Sequence, residues 1–365
     1  MRESERLAWL RLARTPTIGP VTFASLIARF GTAEAALAEA PRLAARGGKP
    51  LALPPETEIL REMSALDRLG GRFLLSGETD YPHGLKALEA PPPAIAVLGQ
   101  THLLQKDMVA MVGARNASAL GRKLAAMLAL DLGAAGLGIA SGLARGIDAA
   151  AHEASLASGT VAVVAGGVDI IYPPENQALY EAIAARGAIV SEMPLGEQPQ
   201  ARHFPRRNRL ISGLARGVVV VEAADRSGSL ITANYALEQG REIFAVHGSP
   251  LDPRARGCNR LLRDGATLTE SAEDVLAVLR PILGGGFRDP EGRAPAPPPA
   301  DWEARADRIR AQVEEALGPA PVAVDELIRQ TGASAGAVQT VLLELELAGR
   351  CARHPGNRVS WADTP

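Results

Sequence analysis

The residues with the clearest potential for chemistry lie in the stretch IASGLARGIDAAAH, residues 139–152. Short apolar residues lead into Ser141 and Gly142, a glycine-containing turn follows, and an alanine-rich run begins after Gly146. This pattern predicts a strand, a turn and the start of a helix, and the first turn of a helix attracts anions through its unpaired amides and partial positive charge. The two glycines would let a ligand approach the backbone, and Arg145 would add guanidinium donors. The stretch therefore predicts a phosphate site.

Two titratable residues follow in the same helix. Asp148 and His152 are four residues apart and so share one helix face. Such a pair could do acid–base chemistry, but we expect it to hold the turn in shape, because the predicted site extends well beyond one phosphate.

A second turn of similar type follows the buried run VVVV, residues 218–221. The run ends at Glu222, and Ser227, Gly228 and Ser229 then open another predicted helix, with Thr232 in its first turn. Hydroxyls and amides would converge there on an anion, although Ser229 could equally act as the helix N-cap.

Positive charge is concentrated in one segment of an otherwise balanced chain. The net charge is −2, but residues 198–221 contain no acid and include Arg202, Arg206, Arg207 and Arg209. Phe204 lies among these cations, and an aromatic ring beside arginines suits stacking on an unpaired base. The alternative is that the ring belongs to the core and that some arginines form ion pairs.

Apolar strands alternate with helical segments from residue 108 to residue 246. This predicts a Rossmann-like, doubly wound, mainly parallel sheet with its ligands beyond the carboxyl ends of the strands. A dinucleotide cofactor is disfavoured, because the first turn carries Arg115 where bare backbone is needed and the next strand ends at Ser141 rather than at a carboxylate. We predict no cofactor, no metal site and no catalytic residue.

Composition sets further limits. The 365 residues are 47% hydrophobic, enough for two or three domains with sizeable cores. The two cysteines, Cys258 and Cys351, are far apart and have no metal-ligand spacing, which indicates a reducing compartment. The chain shows neither a membrane-spanning run nor a secretory signal, so we expect a cytoplasmic protein without membrane contact.

Smaller domains are predicted at both ends. Residues 1–70 form a helical, SAM-like or helix-hairpin-helix-like domain around the turn at Ile18 and Gly19; residues 71–283 form the Rossmann-like domain, and residues 284–300 form a glycine- and proline-rich linker. Residues 301–365 predict three helices and a two-stranded wing, a winged-helix domain. Its third helix has no basic residue and carries Glu344 and Glu346, so we expect a protein-contact or regulatory role for this domain rather than recognition of duplex DNA.

The order of these motifs resembles the bacterial DNA-processing protein A family, also called DprA or Smf. The resemblance is carried by VGAR (112–115), SGLARGID (141–148), YP (172–173), SE (191–192), FPRRNR (204–209), SGS (227–229) and GCN (257–259). It implies a protein that binds single-stranded DNA, protects incoming strands during natural transformation and loads the recombinase RecA onto them. It also implies a homodimer formed through the Rossmann-like domain, and no enzymatic activity.

The resemblance also implies where DNA binds. The family's pocket uses the arginine after the first strand, the backbone of the glycine-rich turn, and an aromatic with a nearby basic residue, which match Arg115, residues 141–146, Phe204 and Arg202. Some members carry a lysine where this chain has Ala201. Taken with the residue patterns above, the predicted DNA-binding residues are Gly113, Arg115, Ser141, Gly142, Arg145, Gly146, Arg202, Phe204, Arg206, Arg207, Asn208, Arg209, Ser227, Gly228, Ser229 and Thr232.

An enzyme acting on nucleotides, such as a phosphoribohydrolase on a related fold, is the rival hypothesis. Glu222 would be its catalytic carboxylate, near an anion-binding turn. Such enzymes resemble a Pro-Gly-Gly-x-Gly-Thr pattern before the glutamate, whereas this chain has RSGS, residues 226–229, after it.

Overall fold

A computed structural model describes residues 1–284, 302–354 and 356–362. The chain divides into two compact units, one made of Met1–Leu60 with Glu291–Pro365 and the other of Arg61–Pro290. The predicted linker, residues 284–300, lies outside the described residues except for Gly284.

The helices are α1 (Glu3–Ala13), α2 (Pro20–Phe30), α3 (Ala33–Arg46), α4 (Glu56–Arg68), α5 (His83–Lys86), α6 (Ala119–Ala134), α7 (Ile147–Ser155), α8 (Gln177–Arg186), α9 (His203–Leu214), α10 (Gly228–Glu238), α11 (Arg256–Arg263), α12 (Ala272–Leu279), α13 (Trp302–Ala316), α14 (Val324–Thr331) and α15 (Ala335–Leu347). The strands are β1 (Gly71–Leu75), β2 (Ala94–Gly99), β3 (Met108–Gly113), β4 (Gly138–Ser141), β5 (Thr160–Val163), β6 (Ala188–Ser191), β7 (Gly217–Val221), β8 (Glu242–Ala245), β9 (Thr267–Leu268), β10 (Val322–Ala323), β11 (Cys351–His354) and β12 (Arg358–Trp361).

The central unit is built on a nine-stranded sheet in the order β1-β2-β6-β5-β4-β3-β7-β8-β9. Its pairs are parallel from β6 to β9, and β2 is antiparallel to both of its neighbours. Strands β3, β4, β5 and β7 are buried at nearly every position, because helices cover both faces of the sheet. The predicted doubly wound, Rossmann-like fold is confirmed.

Two apolar layers enclose this sheet. One contains residues of α9 and α10, and the other contains residues of α6, α7 and α12. The chain proceeds from β3 outward to β6 and then returns to place β7 on the other side of β3. Strand order reverses between β3 and β7, and in open α/β sheets ligands bind at the carboxyl ends of such strands.

The sequence patterns did not predict α9, the helix of this unit that matters most for the site. The arginine-rich segment was predicted only as a positive patch, but it forms α9, whose buried residues include Leu210, Ile211 and Leu214. Helical geometry therefore divides its side chains between two faces, which decides which of them can share a site.

The other unit combines the N-terminal helices with the winged helix. Helix α13, helix α14, helix α15 and the three-stranded sheet β10-β12-β11 enclose a core that includes Val313, Leu327, Val338 and Leu342. Three helices with an antiparallel hairpin confirm the predicted winged-helix fold. Helix α1, helix α2 and helix α3 form a small helical domain, as predicted, while α4, which the prediction included in it, is divided between the two units after Leu60.

Among the described residues no single helix is long and apolar enough to cross a membrane. Helices α2 and α3 meet that condition only when they are counted together across a bend of 109°.

Candidate functional site

The loops that follow β3, β7 and β8 meet at the carboxyl edge of the central sheet. Because these strands are parallel, their ends lie side by side, and a groove of about 800 Å³ opens between the loops and α9. The predicted residues that line it are Gly113, Arg115, Phe204, Arg207, Asn208, Ser227, Gly228, Ser229 and Thr232.

A smaller cavity of about 200 Å³ adjoins this groove and shares Arg115, Phe204 and Arg207 with it. Gly142 and Arg145 also line it. The structure thus brings the arginine after β3, the turn after β4 and the aromatic of α9 into one continuous depression.

The ring of Phe204 lies at the centre of this depression and is half-buried. The guanidinium carbons of Arg115 and Arg207 lie 5.4 Å and 5.8 Å from its centroid, and Tyr172 contacts it edge to face at 5.9 Å. Distances of this size allow cation–π attraction. An aromatic face flanked by cations can hold a planar, negatively charged ligand by stacking and charge together.

Asp148 holds the turn after β4 in shape, as expected. Its Oδ2 accepts hydrogen bonds from the amides of Gly142 at 3.1 Å and Ala144 at 3.3 Å. These two amides, which we expected to bind a phosphate directly, are therefore occupied by the chain's own carboxylate. The donors left for an anion at this turn are its other amides and the exposed Arg145. Nε of Arg145 lies 3.2 Å from Glu175.

Both glycines of this turn serve the packing of the chain itself. A Cβ at Gly142 would lie 1.6 Å from Nη1 of Arg207, and a Cβ at Gly146 would lie 2.3 Å from the carbonyl oxygen of Ala114. We expected the open space at these glycines to admit a ligand. The guanidinium and the neighbouring backbone fill it instead.

Arg207 is a buried cation at the base of the groove. Its Nη1 donates to the carbonyl of Val163 at 3.0 Å, and only 7% of the residue is exposed. Burial lowers the pKa of Arg207 to about 10, the charge of Asp148 opposes this shift, and that of Arg115 adds to it. Burial also raises the pKa of Asp148, against the influence of Arg207. Both groups are buried, and the charge of each influences the pKa of the other.

His152 does not act together with Asp148, although they share a helix face. Its Nδ1 is 2.7 Å from Oγ1 of Thr160, and the ring is fully buried. Burial, aided by the charge of Arg207, lowers the pKa of His152 to about 3. The imidazole is therefore neutral at physiological pH and ties α7 to β5.

The second predicted turn is a helix cap. Ser227, rather than Ser229 as we considered, is the N-cap of α10, and its hydroxyl accepts from the amide of Ser229 at 3.3 Å. Asn208 donates to the carbonyl of Gly228 at 3.3 Å and thereby joins α9 to this cap. Thr232 is buried at 1% exposure beside the groove.

The other predicted residues lie away from the two cavities. Ser141 is buried and donates to the carbonyl of Met111 at 2.5 Å. Arg202 and Arg206 are exposed near the start of α9, and neither lines a cavity described above. Arg209 bonds both oxygens of Glu192 at 2.6 Å and 2.7 Å, so this arginine follows the ion-pair alternative.

Glu222 also has a structural partner. Its two carboxylate oxygens accept from the amide of Ser118 at 2.8 Å and from the hydroxyl of Ser118 at 2.5 Å. Ser118 is the N-cap of α6, so the carboxylate lies where a helix favours negative charge. The φ of Glu222 is +54°, a left-handed conformation that directs its side chain toward this cap.

The lining residues that the sequence reasoning missed include two arginines and a tyrosine. Arg226 and Arg254 line the larger groove, and Tyr172 lines the smaller cavity. Arg226 and Arg254 lie in the loops after β7 and β8, so the rule that ligands bind at the carboxyl ends of parallel strands could have found them. Tyr172 was part of a recognised motif, but nothing in its spacing indicated contact with Phe204.

Comparison with protein families covers nearly the whole chain. Residues 72–280 match the family described as DNA recombination-mediator protein A, residues 3–65 match a DprA-like N-terminal HHH domain, and residues 293–357 match a DprA winged helix domain. Protein Smf of Escherichia coli K12 is 36% identical over 357 residues, which cover 96% of this chain and 94% of that protein.

Solved structures give the same result. DprA from Streptococcus pneumoniae is 40% identical, with a TM-score of 0.58 over 61% of this chain and 78% of that one. DNA processing protein A from Helicobacter pylori, whose structure was described for its single-stranded DNA binding mode, is 28% identical, with a TM-score of 0.54 over 58% of this chain and 97% of that one.

The fold and the groove define a Rossmann-like α/β protein with an aromatic, arginine-lined depression at the carboxyl edge of its sheet. With the matches above, the chain belongs to the family of DNA recombination-mediator protein A, the DNA-processing proteins named DprA or Smf.

Proposed function

We propose that this protein binds single-stranded DNA in the depression around Phe204. The observation that carries this proposal is the ring of Phe204 with the guanidinium groups of Arg115 and Arg207 within about 6 Å of it, at the edge where parallel sheets bind ligands. A base can stack on a ring, and the neighbouring guanidinium groups can meet the phosphates on either side of it. The Helicobacter pylori relative, described for its binding of single-stranded DNA, supports the same ligand for this chain.

The length of the depression favours a strand over a mononucleotide. The lining of the larger groove includes Phe204, the cap of α10, Arg226 and Arg254, so it offers cations besides those next to the ring. A strand that lies along the groove would meet successive cations, and its bases would need no hydrogen-bond recognition. Binding is therefore expected to be salt-sensitive and largely independent of sequence.

The test is a competition between single-stranded and duplex oligonucleotides at increasing salt. We expect preference for the single strand, and we expect Phe204→Ala to cost about 1–3 kcal/mol of binding free energy through lost stacking. Arg115→Ala is expected to reduce the slope of log affinity against log salt by about 0.7 for each phosphate that it contacts.

The matched control is Arg186→Ala, which removes an exposed arginine from the end of α8 and leaves the depression intact. Its affinity and salt slope should equal those of the unmodified protein. If Arg115→Ala and Phe204→Ala bound single strands as tightly as Arg186→Ala at moderate salt, the assignment of this site would be wrong.

We further infer that the bound strand is passed to the recombinase RecA during natural transformation, that the protein acts as a homodimer in the cytoplasm, and that it is not an enzyme. The family description as a recombination mediator supports the transfer. The engagement of Glu222 with the cap of α6 supports a structural role for the one carboxylate considered catalytic. The measurement is RecA assembly on a strand already covered by a single-strand-binding protein. Acceleration by the protein, lost in Phe204→Ala, is the expected result.

A further inference from the structure

Helix α15, the third helix of the winged helix, buries two acidic side chains. Glu344 is fully buried, and Glu346 is 4% exposed. Carboxylates are rarely buried without partners, because removing an ionised group from water is costly unless hydrogen bonds and opposite charges compensate. The partners of Glu344 and Glu346 therefore indicate which part of the protein this face of α15 contacts.

Each carboxylate has one partner from the winged helix and one from the N-terminal helices. Oε1 of Glu344 accepts from Nε of Arg46 in α3 at 2.8 Å, while its Oε2 is bonded to Arg310 in α13. Oε2 of Glu346 accepts from the hydroxyl of Thr22 in α2 at 2.7 Å, while its Oε1 lies 2.6 Å from Nε of Arg353 in β11. Neither carboxylate would be fully compensated by the winged helix alone.

The backbones also approach closely along this face. A Cβ at Gly47, just after α3, would lie 2.0 Å from the carbonyl oxygen of Glu344. A Cβ at Gly349, just after α15, would lie 3.3 Å from Cγ2 of Thr17, beside the hairpin turn between α1 and α2. The contact therefore depends on the absence of a side chain at Gly47, and it includes the turn that resembles a helix-hairpin-helix element.

The wing contributes its cations to the same contact. Nη1 of Arg350 donates to the carbonyl of Gly47 at 3.1 Å and to Glu314 at 3.1 Å. Arg353 bonds Gln339 at 3.1 Å besides its pairing with Glu346. Both arginines are thus held within this unit.

We propose that the face of α15 bearing Glu344 and Glu346 is a docking surface whose partner is the N-terminal helical domain of the same chain, in place of a DNA duplex. In other proteins, the third helix of a winged helix and the turn of a helix-hairpin-helix element contact DNA. In this chain, α15 and the N-terminal helical domain would instead cover each other. This surface lies outside the depression around Phe204, and the proposal does not depend on single-strand binding.

Gly47→Ala tests the docking in the full-length protein. The φ and ψ of Gly47 are −74° and −4°, which alanine adopts without strain, so the substitution acts through its clashes with Glu344 and Ala348 at the end of α15. The matched control is Gly19→Ala, because φ at Gly19 is −79° and no atom lies within 4 Å of the added Cβ. Arg46→Glu provides a second disruption, by charge.

Two measurements report on this unit. All 3 tryptophans of the chain, Trp9, Trp302 and Trp361, belong to it, so their fluorescence follows its unfolding. Hydrogen exchange in α3 and α15 follows the contact directly. We expect Gly47→Ala and Arg46→Glu to speed exchange in both helices by roughly tenfold, while residues 61–284 keep their exchange rates and Gly19→Ala changes nothing.

A third arm adds duplex DNA to the unmodified protein and measures exchange again. Exchange in α3 and α15 should stay the same, because the docked face is closed to the duplex. Protection of α15 by duplex accompanied by faster exchange in α3 would overturn the proposal. So would unchanged exchange of α15 in both Gly47→Ala and Arg46→Glu.

Discussion

The guanidinium of Arg207 occupies the space beside Gly142, where a Cβ would lie 1.6 Å from Nη1. The cation at the base of the groove and the turn above it therefore depend on each other. Because Asp148 also bonds the amide of Gly142, a buried carboxylate, a buried cation and a glycine together fix the turn before α7.

We predict that Gly142→Ala displaces Arg207 and weakens single-strand binding together with stability. Overpacking of this kind costs about 1–3 kcal/mol, and the shifted arginine would no longer lie beside Phe204. The control is Gly19→Ala just before α2, where φ is −79° and no atom lies within 4 Å of the added Cβ. Urea unfolding and oligonucleotide titration of both variants check this. Equal stability of the two variants would contradict the proposed dependence.

The arginines of α9 should separate into two groups. Arg209→Ala is expected to cost about 3 kcal/mol of stability, because it leaves Glu192, at 10% side-chain exposure, without the cation that bonds both of its oxygens. Arg206→Ala removes an exposed side chain and should change stability by no more than about 0.5 kcal/mol.

Binding should show the opposite order. We expect Arg206→Ala to lower the salt slope of single-strand binding by about 0.7, as for one lost phosphate contact, and Arg209→Ala to leave this slope unchanged. If Arg209→Ala lowered the salt slope and kept its stability, Arg209 would have to be assigned to the binding site instead.

This division could not be predicted from the segment taken as an acid-free patch. The charges in residues 198–221 do not distinguish an arginine that binds DNA from one that forms an ion pair. Once the segment is a helix, Phe204, Arg207, Asn208 and Ile211 fall on the groove side, and Arg209 faces Glu192. The helix was missed because its first residues mix cations with Pro205, and its apolar positions occur only later.

The architecture was easier to predict than the contacts within the site. Continuous apolar runs such as residues 218–221 indicate buried parallel strands, since only strands covered on both faces tolerate them. In contrast, Asp148 and His152 share a helix face, but Asp148 bonds amides of the turn before the helix and His152 bonds Thr160 of β5. Helical spacing shows which residues are neighbours on one face, but not what packs against that face.

The pH dependence of stability should carry a contribution from His152. Its pKa is about 3 in the folded protein and about 6.5 when unfolded, so the unfolded chain alone takes up a proton between these values. The free energy of unfolding should therefore fall as pH decreases from about 6.5 toward 3, by up to about 1.4 kcal/mol per pH unit from this residue.

The measurement is urea unfolding at several pH values, with His152→Gln as the comparison. Glutamine can still bond Thr160 but takes up no proton, so the variant should lack this part of the acid-dependent loss. If the pH dependence of the two proteins were the same, the imidazole would not be held neutral in the folded state.

The carboxylate of Glu222 provides the last prediction, because it separates a structural role from catalysis. We expect Glu222→Gln to lower the free energy of unfolding by about 1–2 kcal/mol. The NH2 group of glutamine would replace one acceptor oxygen and would face an N–H or O–H donor of Ser118. The negative charge at the start of α6 would also be lost. Glu153→Gln, an exposed change in α7, is the matched control and should have little effect.

Activity assays of the same variants complete the argument. We expect no release of free base from nucleoside monophosphates by the unmodified protein, and single-strand affinity in Glu222→Gln equal to that in Glu153→Gln. Release of base by the unmodified protein that disappears in Glu222→Gln would instead establish a nucleotide-cleaving enzyme. The carboxylate would then have to leave Ser118 to reach a substrate, because both of its oxygens are bonded to that residue in the structure.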